Sequence, residues 1–276
     1  MSGFAVLNPT YDSGYIRSIM KVLLVDGFNL VRRLYEARPH DDAPVDEELI
    51  SNAAHSLQRA LHTHQPSHAC CVFDSHATTW RHRLYPAYKA NRKPTPPALL
   101  AAIPRFDEAF LGVGVRSVCV EGYESDDVIA TMALAISRAD GQVIILSTDK
   151  NFLQLLDDHI SVFDHFHDLA CTRAWVLEKY GVRHDQLVDY WALTGDATTN
   201  IKGVPKIGPK TAQELISSHG SLDALLDNPP PGKNGERLRE HRADAELSRE
   251  LVRLKTDVEV GTNLKQMRYV PDYERS

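Results

Sequence analysis

Lys21-Val-Leu-Leu-Val-Asp26 is a short apolar run that ends in aspartate, and the pattern returns in Ala69-Cys-Cys-Val-Phe-Asp74 and Gln142-Val-Ile-Ile-Leu-Ser-Thr-Asp149. Continuous apolar runs of this length are typical of strands covered on both faces. Helix-like stretches around 47–62 and 125–139 separate them. We therefore predict an α/β fold with a mainly parallel sheet, helices on both sides, and ligands beyond the carboxyl ends of the strands.

Composition excludes several classes of protein. The 276 residues carry a net charge of −6 and are 43% hydrophobic, which is ordinary for a folded globular chain. No apolar stretch approaches the roughly 18 residues that a membrane helix needs, so we expect no membrane partner. The four cysteines form no C-x-x-C motif, which favours reduced thiols and a cytoplasmic location. The oligomeric state stays open.

The chain changes character near residue 184, where strand-like runs give way to helix-like pieces and Gly- and Pro-rich connections. We predict a loop over Asn228–Gly235 and one amphipathic helix over Glu236–Leu254. A fourth strand-like run, Ile160–Asp164, ends in an aspartate that we assign to a turn. The predicted parts are an upstream or disordered extension (1–19), an α/β core (20–183), a helical subdomain (184–260) and a tail (261–276).

Three carboxylates, Glu124, Asp126 and Asp127, fall within four residues at the expected start of a helix. Their mutual repulsion would be costly in a partly buried site without positive charge nearby. The plain alternative is a solvated first turn. Combined with the three strand-end aspartates, however, they predict six carboxylates at one edge of the sheet. Oxygen-only ligands favour Mg²⁺ or Mn²⁺ over zinc.

Two basic segments are candidates for binding phosphate. Residues 80–93 read WRHRLYPAYKANRK, without an acid, and this stretch is either a solvated loop or a phosphate and base-stacking surface. The second segment, 198–212, is rich in glycine and lysine. It resembles a Walker A loop, but Pro209 stands between Gly208 and Lys210. The other interpretation is a hairpin between helices whose backbone approaches a DNA phosphate.

Six motifs occur in a fixed order between about Met20 and Leu254: VDGFNL, VFD, YPAYKANR, GYESDD, STDKNFLQL and LTGDATTNIKGVPKIGPKTA. Together they resemble the flap endonuclease superfamily of 5′-nucleases. The resemblance is greatest to the stand-alone bacterial exonuclease IX-like members, which are relatives of the 5′-nuclease domain of DNA polymerase I. It implies a PIN-like core, a helical arch over about 77–110, and a helix-three-turn-helix DNA-binding subdomain.

The resemblance also implies an activity: Mg²⁺-dependent cleavage of 5′ DNA flaps near the junction of single strand and duplex, as in DNA replication and repair. The implied metal-site residues are Asp26, Asp74, Glu124, Asp126, Asp127, Asp149 and Asp196. Lys89 and Arg92 would act on the scissile phosphate, and Tyr88 would stack nearby. Backbone carbonyls of Leu193, Thr194, Lys202, Val204 and Ile207 would coordinate K⁺. DNA would contact Lys206, Ile207, Gly208, Pro209, Lys210 and Thr211.

Two positions depart from the family pattern. Asn151 and Thr199 stand where relatives carry carboxylates, and Asp196 alone remains at the second metal position. We therefore expect one firmly bound Mg²⁺, a second held through water, and reduced or narrower activity. Two other functions stay open, namely a DNA-structure binding protein that no longer cleaves usefully and a PIN-type RNA nuclease.

Overall fold

The computed structural model describes residues 20–38, 44–75 and 77–271. The predicted extension 1–19 and the last five residues of the predicted tail lie outside this description. No helix in the described ranges is both long and apolar enough to cross a membrane.

The described residues contain a six-stranded sheet with the order β3-β2-β1-β4-β5-β6. Every neighbouring pair is parallel except β5 and β6, which are antiparallel. The strands are β1 (Lys21–Asp26), β2 (His68–Val72), β3 (Arg116–Val118), β4 (Gln142–Leu146), β5 (Ile160–Asp164) and β6 (Leu169–Cys171). The predicted mainly parallel sheet is confirmed.

Alternate residues of the central strand face two separate layers of helices. Leu23 and Val25 pack in one apolar cluster, with residues of the helices that follow β1 and β2. Val22 and Leu24 pack in the other, which runs from the helix before β4 to the carboxyl-terminal helices. Burial on both faces explains why β1 is a continuous apolar run.

The helical elements lie on these two faces and beyond the sheet. The α-helices are α1 (Gly27–Glu36), α2 (Glu47–His64), α3 (Trp80–Leu84), α4 (Pro97–Ala101), α5 (Ile103–Gly112), α6 (Ser125–Ser137), α7 (Arg173–Tyr180), α8 (Leu187–Thr194), α9 (Pro209–His219), α10 (Leu222–Asp227), α11 (Lys233–Glu240), α12 (Arg242–Val252) and α13 (Leu264–Met267). Short 3₁₀ helices cover Lys150–Leu155, His184–Gln186 and Ala197–Thr199.

Some elements differ from those predicted. The strands β3 and β6 were not predicted, because three residues carry too little apolar pattern to be recognised. The single helix expected over Glu236–Leu254 is two helices, since His241 leaves helical geometry with φ −111° and ψ 28°. The helix α11 already begins at Lys233, inside the predicted loop.

The predicted arch is also shorter and different in form. Its last part, α4 and α5, packs into the core through Leu99, Phe106 and Phe110, which are all 0% exposed. The residues between α3 and α4, all of which the structure describes, form turns and no helix. The apolar residues of α4 and α5 cover one face of the sheet.

The packing of α1 against the sheet generates a testable prediction. A Cβ added at Gly27 would lie 2.5 Å from Cys71 Sγ and 2.9 Å from a ring carbon of Phe73. We expect Gly27→Ala to lower the free energy of unfolding by about 1–3 kcal/mol, because the buried neighbours must shift. Urea denaturation measures this change. The control is Gly112→Ala, where an added Cβ meets nothing within 4 Å, and an equal loss there would contradict the packing argument.

Candidate active site

Three aspartates meet where adjacent parallel strands end. Asp26 closes β1, Asp74 lies two residues after β2, and Asp149 lies three residues after β4. Because β1 is paired with both β2 and β4 in parallel register, all three leave the sheet at one edge. Asp26 accepts hydrogen bonds from Asn29 N at 3.2 Å and Ser147 Oγ at 2.8 Å. The edge is therefore a preformed group of oriented carboxylates.

A fourth carboxylate, Asp126, joins them from the first turn of α6. Its side chain is buried and accepts no hydrogen bond from the residues that the structure describes. Burial, followed by the charges of Asp149 and Asp26, raises the pKa of Asp126 well above its usual value. Burial and the charge of Asp74 likewise raise the pKa of Asp26 to about 7. These carboxylates repel one another, and the charge of Lys89 offsets the repulsion at Asp126 only in part.

The carboxylates interact at a distance without forming a closed cluster. Within residues 20–38, 44–75 and 77–271, no group of three or more His, Cys, Asp or Glu side chains is gathered in metal-binding geometry. The set is nevertheless composed of oxygen donors only, which are the ligands that hard divalent cations prefer. A bound cation would relieve the repulsion that raises both pKa values.

Glu124 differs because the protein supplies its positive partners. Its carboxylate is held by Arg81 Nη1 at 2.8 Å, by the hydroxyl of Tyr88 at 3.0 Å and by the ammonium of Lys89. Burial alone would raise the pKa of Glu124, but Lys89 and Arg81 outweigh it and bring the pKa down to about 2. Glu124 is thus ionised and fixed at the border between the carboxylates and the basic segment.

Asp127 does not join the other carboxylates. Arg81 donates to both of its oxygens at 2.8 Å, and Trp80 Nε1 and the backbone N–H of Lys255 complete its hydrogen bonds. The side chain is 0% exposed. In this structure an ion pair with Arg81 uses the carboxylate of Asp127, and its role at a metal site stays a prediction.

The carboxylate of Asp196 also finds its hydrogen-bond donors within the protein. It accepts from Lys150 Nζ at 2.9 Å and from the hydroxyls of Thr198 and Thr199 at 2.9–3.0 Å. Burial raises the pKa of Asp196, but Lys150 and the two hydroxyls lower it more, so the net shift is downward. Asp196 is thus paired with an ammonium in this structure, and its role as a metal-site residue stays a prediction.

The basic segment is partly core rather than surface. Tyr88 is only 4% exposed, and its ring packs edge-on against His82. The role of Tyr88 in stacking on DNA stays a prediction, and in this structure its ring is covered by protein. Arg92 remains exposed and donates from Nε to the carbonyl of Thr198 at 2.8 Å. Lys89 has a left-handed backbone with φ +56°, which directs its side chain back toward Glu124.

The Gly-rich segment forms a tight turn between α8 and α9. Gly195 and Gly203 both have positive φ, and an added Cβ on either would collide with backbone atoms of the other arm. Backbone atoms of Leu193, Thr194 and Lys202 lie at this close approach. Val204 N donates to Leu193 O at 2.8 Å, and Ile207 N donates to Val204 O at 3.1 Å. Among the predicted DNA-contacting residues, Lys206, Gly208, Pro209 and Lys210 are exposed, Thr211 is half-buried and the Ile207 side chain is buried.

Comparisons with known proteins identify the same family in both parts of the chain. A profile described as "5′-3′ exonuclease, N-terminal resolvase-like domain" matches residues 21–181. A second, "5′-3′ exonuclease, C-terminal SAM fold", matches residues 182–274. The chain belongs to the 5′-3′ exonuclease family. This confirms the predicted recognition and the predicted fold class of a PIN-like α/β core followed by a helical carboxyl-terminal part.

Individual relatives of this 5′-3′ exonuclease support the same family. Flap endonuclease Xni of Psychromonas ingrahamii is 41% identical over 258 residues, covering 91% of this chain and 98% of the relative. A pseudo-enzyme–product complex of the bacteriophage T5 flap endonuclease with DNA and metal ions shares the fold, with a TM-score of 0.70 at 23% identity, covering 84% of this chain and 88% of that one. The catalytic core of Rad2 in complex with DNA substrate gives a TM-score of 0.57 at 16% identity, covering 92% and 85%.

Sequence reasoning missed Arg81 and Lys150 in this 5′-3′ exonuclease. Arg81 was grouped with a surface-like basic run, although only 2% of it is exposed. A usable signal did exist, because closely spaced carboxylates such as Glu124 and Asp127 need a buried cation nearby.

The Arg81 ion pair can be tested by removing the cation. We expect Arg81→Met to lower the free energy of unfolding by about 3–5 kcal/mol, because Asp127 is left buried and unpaired. Guanidinium denaturation measures the loss. The matched control is Arg83→Met, whose exposed side chain donates only to the carbonyl of Thr78, and we expect a change within about 0.5 kcal/mol there. Equal losses in the two variants would contradict the assignment.

The repulsion at the carboxylate edge predicts a pH dependence. The pKa of Asp26 is raised to about 7, so its contribution to stability is complete at acid pH and is lost as the pH rises through 7. In EDTA at pH 7.5, Asp26→Asn should therefore stabilise the fold, by at most about 4 kcal/mol. The gain should vanish near pH 4.

Denaturation curves between pH 4 and 8 measure this difference. Adding Mg²⁺ at pH 7.5 should stabilise the wild-type protein more than the variant, because the cation offsets the charge that the variant lacks. A variant that is less stable than the wild type at every pH would refute the electrostatic account.

Proposed function

We propose that this chain is a Mg²⁺-dependent flap endonuclease that cuts 5′ DNA flaps near the junction of single strand and duplex. The observation that carries the proposal is the carboxylate edge formed by Asp26, Asp74, Asp126 and Asp149. It lies at the carboxyl ends of parallel strands, and the cation Lys89 interacts with Asp74 and Asp126 there. Carboxylates and cations side by side suit a phosphodiester whose charge must be both bound and neutralised.

A divalent cation fits this edge on chemical grounds. The four aspartates would hold it, with Glu124 at the border, and the raised pKa values of Asp26 and Asp126 are the sign of uncompensated negative charge. When bound, Mg²⁺ would lower the pKa of a water molecule and neutralise charge on the phosphate. We propose one directly bound ion and a second held only through water, because the ammonium of Lys150 pairs with the carboxylate of Asp196.

The residues of the chain would orient the phosphate and hold the duplex. Lys89 already lies at Glu124, so it can bind a phosphate oxygen next to the carboxylates. Arg92 is exposed one turn further along and adds a second positive charge. Neither cation is needed as a base. Their role is to fix the strand relative to the carboxylate edge.

The turn between α8 and α9 supports the proposed grip on duplex DNA. Its exposed residues, Lys206, Gly208, Pro209 and Lys210, precede and begin α9, so phosphate can approach backbone N–H groups without a bulky side chain in the way. Ile207 would contribute backbone only. K⁺ would bind the carbonyls of Leu193, Thr194, Lys202, Val204 and Ile207, which the two close glycines bring together.

The location proposed for this enzyme is the cytoplasm. Cys70, Cys71, Cys119 and Cys171 are all free thiols in the described residues. Free thiols are typical of a reducing compartment.

The proposed activity is tested with an end-labelled 5′-flap DNA at low salt with K⁺ present. We expect metal-dependent cutting at the junction, and a loss of at least about 100-fold in Asp126→Asn, because one carboxylate of the set becomes neutral. Glu178→Gln, an exposed change on α7, serves as the control and should cut like the wild type.

Two outcomes would decide against the proposal. Tight flap binding without cutting in Mg²⁺ or Mn²⁺ would identify a DNA-structure binding protein. Preferential cutting of single-stranded RNA would identify an RNA nuclease, for which the turn between α8 and α9 has no evident use.

A further inference from the structure

Ser147 connects two members of the carboxylate edge. Its hydroxyl donates to Asp26 Oδ2 at 2.8 Å and accepts from the backbone N–H of Asp149 at 3.0 Å. The side chain is only 4% exposed. A hydroxyl has one proton and two lone pairs, so a single Ser147 side chain can serve both aspartates at once. The end of β1 and the loop that leaves β4 are thereby joined through one oxygen atom.

The position of this hydroxyl is set by the sheet. Val25 and Leu146 are partners in the parallel pairing of β1 and β4, and Asp26 and Ser147 follow them by one residue. On the other side, the backbone N–H of Ser147 donates to Phe163 O on β5 at 3.2 Å. Ser147 is therefore held between two strands, and its hydroxyl bonds start from a fixed backbone.

Asn29 on α1 makes a second connection between the same two segments. Its backbone N–H donates to Asp26 Oδ1 at 3.2 Å. Its side-chain Nδ2 donates to the Thr148 hydroxyl at 2.9 Å, and Thr148 N donates back to Asn29 Oδ1 at 3.2 Å. Because Thr148 directly precedes Asp149, the amide of Asn29 fixes the loop from the side of the helix.

These contacts oppose an electrostatic force. Besides burial and the charge of Asp74, the charge of Asp149 raises the pKa of Asp26. Ionised aspartates without restraint would reduce this repulsion by moving apart. Ser147 and Asn29 oppose that movement, because each of them contacts both segments. Each oxygen of Asp26 accepts one bond from them and keeps a further acceptor site.

We propose that Ser147 and Asn29 are positioning residues that hold Asp26 and Asp149 together for joint binding of a divalent cation. This inference rests on the proposed flap endonuclease activity and deepens it, since it names two uncharged residues on which cation binding depends. Neither side chain needs to touch DNA. Loss of either contact should therefore weaken cation binding and lower kcat, while KM for the flap DNA changes little.

The first test measures Mn²⁺ binding to the DNA-free protein by electron paramagnetic resonance of the free ion. We expect Ser147→Ala to raise the dissociation constant about tenfold, which corresponds to about 1.4 kcal/mol. Ser56→Ala is the matched control, because Ser56 on α2 is 1% exposed and its hydroxyl is hydrogen-bonded to His165 at 3.0 Å. This control also loses a buried hydroxyl and should bind Mn²⁺ like the wild type.

Asn29→Ala tests the second connection and keeps the inference testable if Ser147→Ala does not fold. The change retains the backbone bond to Asp26 and removes the amide that fixes Thr148. Its dissociation constant for Mn²⁺ should rise by about threefold. The effect is smaller because Arg33 Nη2 still donates to the Thr148 hydroxyl at 3.1 Å. Asn52→Ala, an exposed change on α2, is its control, and thermal denaturation verifies that each variant is folded.

Cutting of an end-labelled 5′-flap DNA at subsaturating Mg²⁺ gives a second measurement. In Ser147→Ala, kcat should fall about tenfold while KM for the flap stays within about twofold of the wild-type value. A higher KM with an unchanged kcat would mean that Ser147 acts in DNA binding, and the positioning role would be wrong.

The outcomes separate this inference from the proposed function. A folded variant that binds Mn²⁺ as tightly as the wild type overturns the role of the residue that it lacks, and so does an equal loss in its control. Failure of the wild type to bind Mn²⁺ overturns the role of both residues. Wild-type protein that binds Mn²⁺ but cuts no flap refutes the proposed function alone, and the binding comparison still decides on Ser147 and Asn29.

Discussion

Arg81 lies fully buried where distant parts of the chain meet. Its guanidinium donates to two carboxylates and two carbonyls, those of Glu124, Asp127, Leu251 and Arg253. Burying one unpaired charge costs several kcal/mol, so each member of this group makes the burial of the others tolerable. The start of α6, the helix α3 and the end of α12 are joined by one side chain. The position of Glu124 at the site, and of the segment that carries Lys89, follows from this contact.

The carboxylates of the site fall into two electrostatic classes. Glu124 and Asp196 have cations supplied by the chain, and the net shift of their pKa values is downward. Asp26 and Asp126 have none in contact, and burial together with neighbouring carboxylates moves their pKa values upward. Buried carboxylates of this second class are stabilised if they are protonated or if they bind an external cation. Glu124 and Asp196 therefore have their negative charge offset by cations of the protein. The charge of Asp26 and Asp126 leaves room for an external cation.

The strands β1, β2, β4 and β5 and the carboxylate edge could be predicted from sequence because their signals are local. An apolar run followed by aspartate predicts a strand end, and parallel pairing places such ends together. The burial of Arg81 has no local signal, since its partners lie 43, 46 and 170 residues away. The same holds for Lys150 and Asp196, which are 46 residues apart. The break between α11 and α12 depends on the φ and ψ angles of His241. The spacing of apolar residues in the sequence does not encode these angles.

Thr199, which stands where a carboxylate was expected, has a structural use in the turn that follows α8. A carboxylate at position 199 would repel Asp196, whereas the hydroxyl of Thr199 donates a hydrogen bond to it at 3.0 Å. Together with Lys150, this hydroxyl satisfies Asp196 from within the protein. In this turn the backbone carbonyls of Ala197, Thr198 and Thr199 accept hydrogen bonds from Asn91, Arg92 and Lys89. The segment that carries Lys89 is therefore positioned by contacts within the protein.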